Sequence, residues 1–140
     1  MFISDIKKKR RSFVKTAIVY TAVSVLCIVI TNVYARFGHG VRSDYMDFMF
    51  LYPLLGGTAV FLLLALLWPA LPEGMRKRSR MGYNLYNSGI ACLTSAAMLT
   101  GIMEIAGTGS RWIQTIEGSG IVLLAAAVGF QIMGLFMRND

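Results

Sequence analysis

Residues Val14–Tyr34 read VKTAIVYTAVSVLCIVITNVY, an apolar run in which Lys15 alone carries charge. An α-helix needs about 20 mainly apolar residues to cross roughly 30 Å of hydrocarbon. The same pattern returns at about Met49–Leu71 (MFLYPLLGGTAVFLLLALLWPAL), about Tyr83–Ile105 and about Ile116–Met137. Four such runs predict an all-α integral membrane protein, a four-helix bundle forming one domain over residues 1–140 with a short basic arm at 1–13. The first run is longer than the 7–15 apolar residues of a signal peptide, and no small-x-small cleavage pattern follows it, so it reads as a retained helix.

Composition points the same way. The 140 residues are 56% hydrophobic and 15% charged, with a mean hydropathy of +0.59, whereas soluble domains are about a quarter charged. A soluble domain of this length lacks the interior volume to hide so much apolar surface, so lipid must cover the rest. A free-standing soluble domain, a disordered chain and a disulfide scaffold are thereby excluded. The net charge of +7 lies in short blocks between apolar runs, which argues against a nucleic-acid partner.

The placement of those blocks predicts orientation, because Lys and Arg gather on the cytoplasmic side. One side carries Lys7, Lys8, Lys9, Arg10, Arg11, Lys15, Arg76, Lys77, Arg78, Arg80 and Arg138; the other carries Arg36, Arg42 and Arg111. Both termini are expected in the cytoplasm, in a membrane of the bacterial cytoplasmic type. The KKKRR block abuts a span, so it reads as a topology signal resting on anionic headgroups, with Phe2, Ile3 and Ile6 forming an interfacial turn beside it. Tyr34, Tyr45, Tyr52, Trp68, Tyr83, Tyr86 and Trp112 fall at the expected interfaces, where amphipathic rings anchor.

Within lipid, small residues mark the faces where helices touch. In span three Asn84, Asn87, Ala91, Thr94, Ala97, Gly101 and Glu104 recur at helical spacing and predict a buried seam, with Leu85, Leu93, Met98 and Ile102 on the opposite face. Span four has a similar stripe of Gly120, Leu124, Ala127, Gln131 and Gly134. Its Ala125 and Gly129 stand in a small-x-x-x-small relation, and Gln131 is expected to hydrogen-bond a neighbouring helix. In span two, Pro53 reads as a residue of the helix's first turn. With Gly56-Gly57 close behind, a kink or an unwound start is the alternative.

The ionisable residues outside the basic blocks collect at the outer face: Arg36, His39, Arg42, Asp44 and Asp47 after span one, Glu104 at the end of span three, then Arg111 and Glu117. Glu104 alone sits in an apolar stretch (GIMEIAG), and an ionisable group there is a functional candidate with a partner to be named. Arg42 and Arg111 are the expected partners. A structural Glu–Arg pair and a ligand- or proton-binding carboxylate are both compatible with that placement. His39, between two glycines, reads as a solvated loop histidine or as a pH sensor or base. Asp44 and Asp47 fit the first turn of span two, with a paired acid/base site as the alternative.

Cys27 and Cys92 lie mid-span and read as small hydrophobes. A single histidine excludes a bis-His haem within one subunit, and no metal or cofactor is expected. No nucleophile elbow, zinc-protease, phosphate-loop or dinucleotide signature is present, which leans against an enzyme.

Three functions stay open. The first is an accessory or interaction subunit, associating with itself or a larger membrane protein through small-residue helix faces. The second is a small oligomeric transporter or channel, with Glu104 and Asn87 in its binding or coupling path. The third is an outer-interface enzyme using His39 with Asp44 or Asp47. The orientation common to all three is directly testable: His39→Cys and Lys77→Cys should label with an impermeant thiol reagent from opposite sides of the membrane. Labelling from the same side overturns the topology.

Overall fold

The computed structural model describes residues 2–70 and 80–136. Leu71, Arg76, Lys77, Arg78, Met137 and Arg138, used above for the ends of spans two and four and for orientation, lie outside them. Four helical stretches are long and apolar enough to cross a membrane: Ile6–Phe37, Asp44–Ala70, Met81–Ile105 and Arg111–Met133. No strand occurs among the described residues.

The first helix, α1, runs unbroken from Phe2 to Phe37. At 1.5 Å per residue its 36 residues reach about 54 Å, well beyond the hydrocarbon thickness. The basic arm is therefore not a separate turn: with no Gly or Pro between Phe2 and Phe37, nothing interrupts the helix. Lys7 to Arg11 stand exposed on its extension. It ends where His39 (φ 56°) and Gly40 (φ 83°) turn left-handed. The Gly40 amide there donates to the Ala35 carbonyl at 2.9 Å, a closing pattern that satisfies the last carbonyls of a helix.

Span two starts earlier than its apolar run suggests. It comprises α2 (Asp44–Phe48), a π-helical segment Tyr52–Ala59, α3 (Val60–Leu67) and a 3₁₀ turn Trp68–Ala70. Pro53 thus stands inside the span rather than at its start, and a widened π-helical turn is what forms. Its nitrogen has no hydrogen to donate and its ring would strike the carbonyl four residues back, so the turn widens.

Two long helices complete the chain, α4 (Arg80–Ile105) and α5 (Arg111–Phe136). Neighbours pack in chain order: α1 on span two, span two on α4, and α4 on α5, which has no other substantial neighbour among the described residues. The core has two parts. At one end Phe61, fully buried, is ringed by Phe13, Trp68, Tyr20, Tyr83 and Tyr86, with centroid separations of 4.9 Å for Phe13–Trp68 and 5.6 Å for Phe61–Tyr83. At the other end Cys27, Met46, Met49 and Ala97 pack together. Trp68, Tyr83 and Tyr86 consequently turn inward instead of anchoring at an interface, while Tyr45, Tyr52 and Trp112 are exposed.

Two glycine contacts set helix separation. Leu124 and the Gly120 backbone lie against Gly89 in the α4–α5 seam, and Met46 presses on Gly101 where α2 meets α4. A Cβ on Gly101 would stand 2.6 Å from the Met46 Cβ and 3.0 Å from its backbone nitrogen, atoms that cannot swing aside. Gly101→Ala should lower stability by about 1–3 kcal/mol, the usual cost of overpacking. Gly129→Ala, with nothing within 4 Å, should leave it unchanged or raise it, Ala being the better helix former by about 1 kcal/mol. Thermal unfolding in detergent is the measurement; equal effects of the two variants would put α2 in the wrong place.

Candidate functional site

The polar side chains form two separate groups along the membrane normal. The first group is built on Ser43, which precedes α2 in extended conformation (φ −122°, ψ 134°). Its carbonyl accepts the amides of Met46 and Asp47 at 3.1 and 2.9 Å. A serine here would ordinarily turn its hydroxyl onto the helix's own amides; instead Ser43 Oγ donates to Glu104 Oε2 at the end of α4. Ser43 is buried while Glu104 stays exposed.

Arg42, one residue earlier, has other partners than Glu104. It donates to Asn32 Oδ1 on α1 at 3.0 Å and pairs with Asp47 at 3.6 Å. That is the ion pair found among the described residues, and the expected Arg42–Glu104 or Arg111–Glu104 pair is replaced by the serine contact. Arg111 opens α5 in an exposed position. Thr31 completes the group by donating to the Met46 carbonyl at 2.9 Å. The crevice among Thr31, Ala35, Arg42, Ser43, Met46 and Ile105 is closed, with no water-sized space.

His39 is exposed and stands in the turn that ends α1; Asp44 is exposed at the first position of α2. Among the described residues no hydrogen bond or ion pair joins His39 to Asp44 or Asp47.

The second group lies deeper, where α1 and α4 meet across the thin part of span two. The hydroxyl of Tyr20 donates to Asn87 Oδ1 at 2.7 Å. Tyr83 and Thr16 share a hydrogen bond of 2.9 Å, and Thr21 and Thr58 one of 3.1 Å. From α4, Tyr86 donates to the Gly56 carbonyl at 2.6 Å. Gly57 makes this possible, for any Cβ there would occupy the Tyr20 ring. Sequence reading placed Asn87 in a seam but missed Tyr20. The usable signal was a phenol inside an apolar span, whose hydroxyl needs a partner.

About 25 Å of α4 separates Asn87 from Glu104, and the apolar layer of Cys27, Met46, Met49 and Ala97 lies between the two groups. Of the packing candidates, Gly101 is buried and Thr94 half-buried, its hydroxyl returned to the Ile90 carbonyl at 2.8 Å. Ala91, Ala125, Gly129 and Gln131 are exposed. The buried stripe of α4 instead runs through Gly82, Gly89, Ile90, Ala96, Ala97 and Gly101, because the helix is gripped from two sides, by span two and by α5. Both cysteines are free, and no group of three or more metal-ligating side chains gathers among the described residues.

Comparison with protein-family models, curated proteins and solved structures finds no match.

Removing the deepest polar link has a defined consequence. Tyr20→Phe leaves the Asn87 amide without its donor and should cost about 0.6–2 kcal/mol in detergent. In a double-mutant cycle with Asn87→Leu the two losses should fall short of adding. Additivity within about 0.3–0.5 kcal/mol would mean the pair is not energetically coupled.

Proposed function

We propose that this membrane protein is an accessory or interaction subunit of a bacterial-type cytoplasmic membrane, with both termini in the cytoplasm, which associates with itself or a larger membrane protein through the outer face of α5. The observation that carries this reading is the position of α5: 26 residues long, it has substantial contact among the described residues with α4 alone, and Gly118 and Gly129 meet nothing within 4 Å. With Ala125 also exposed, the open face offers the close backbone approach that drives helix association in lipid. The internal polar groups support it too, since Asn87 and Glu104 are each partnered within the chain and neither lines the two cavities described. The exposed basic turns of α1 fit a resting place on anionic headgroups.

A small transporter or channel is the second reading. What favours it is the exposure of Glu104, held by one hydroxyl and open to a proton or cation from the outer side.

Gly129→Leu together with Ala125→Leu should release the chain from the complex it forms in native membranes, without lowering its own unfolding temperature. Glu104→Gln should keep that complex. If instead Glu104→Gln leaves fold and complex intact but abolishes a measured flux, the coupling carboxylate is established and the accessory reading fails. An unchanged complex in the α5 variant also overturns it.

A further inference from the structure

The widened turn of span two leaves a slot against α4. It measures about 380 Å³ and is lined by Phe48, Leu51, Tyr52, Leu55, Ile90 and Ala97, with Tyr45 at one end and Gly56 at the other. Residues 44–56 of a helical span cover roughly 18 Å, so the slot runs from the membrane boundary toward mid-depth on a face turned to lipid.

Three kinds of matter could fill it. Water is excluded by the lining, since apolar cavities stay dry. A helix could lie over the slot but not fill it: at about 10 Å across, one of matching length displaces well over a thousand Å³. What remains is an unbranched hydrocarbon chain. The volume holds about a dozen groups the size of a water or a methylene, and the slot is open to the bilayer along its side. Left empty, its walls would lose their dispersion contacts outright.

We propose that this slot is a binding site for one acyl chain of a membrane phospholipid, with the headgroup beside the exposed Tyr45. The chain comes from surroundings as apolar as the slot, so close packing rather than the hydrophobic effect supplies the preference. Occupancy is accordingly selective but modest, about three- to tenfold over an ordinary lipid-facing surface, a tenfold preference being about 1.4 kcal/mol.

The test uses the full chain in vesicles of dioleoylphosphatidylcholine carrying a small fraction of phosphatidylcholine with a photoactivatable group midway along one chain. After irradiation and peptide mapping, adducts should fall on residues 48–56 and 90–97 at about three times or more the frequency on Leu62, Leu63, Leu66 and Leu67, which are lipid-facing on the same span. Leu55→Trp, which fills the slot from an exposed position, should abolish the excess. Adducts spread over the exposed leucines as densely as over the slot overturn the proposal. So does an excess that persists in folded Leu55→Trp. If that variant does not fold, the wild-type map decides alone.

Discussion

A bilayer offers no water to a stranded amide or carbonyl, so every break in a spanning helix must be repaired by other parts of the protein. In this chain the break is at Pro53, and the repair brings three spans together. The widened segment Tyr52–Ala59 loosens the regular ladder, and Tyr86 reaches in from α4 to donate to the Gly56 carbonyl. The adjoining glycine has no side chain, which lets Tyr20 lie across span two and reach Asn87. The contact between α1 and α4 thus exists because span two is thin there. Fill Gly57 and the phenol is displaced; lose the phenol and Asn87 is left unsatisfied at depth.

At the end where α2 begins, the problem is a carboxylate rather than a backbone break. Glu104 is tolerable because Ser43 gives up the usual duty of a serine before a helix and turns its hydroxyl outward to α4. Arg42, one residue earlier, ties α1 to α2 through Asn32 and Asp47. Two consecutive residues thereby link three helices, each link made of polar groups at the level where water still competes. The partly exposed Arg42–Asp47 pair contributes little energy, about 0–1 kcal/mol; its effect is to fix the register of the loop.

The spans were legible in the sequence because length and apolarity alone decide what crosses a membrane. Their contacts were only partly so. Gly101 announced itself as a small residue and does receive Met46, but Ala91, on the same stripe, is exposed. A stripe on one helix assumes one neighbour, whereas α4 has two, and the sequence gives no sign of which helices flank it. Tyr83, Tyr86 and Trp68 misled for a related reason: an aromatic near a span end suits either an interface or a core, and here Phe61 supplies a core for them. Glu104 was identifiable as costly; that a neutral serine rather than an arginine would meet it depended on the backbone conformation at a single residue.

The arrangement in chain order leaves the two sides of α4 unequal. Toward span two it is held by tyrosine hydrogen bonds, the Phe61 cluster and Met46 against Gly101. Toward α5 it is held by close packing at Gly89 and Gly120, with no hydrogen bond between the two helices among those described. Packing of this kind competes directly with lipid, which is equally apolar, so α5 is the span whose place depends most on shape. A helix so attached, with small residues also on its far face, can accept a second neighbour without disturbing the polar links that hold the other three spans.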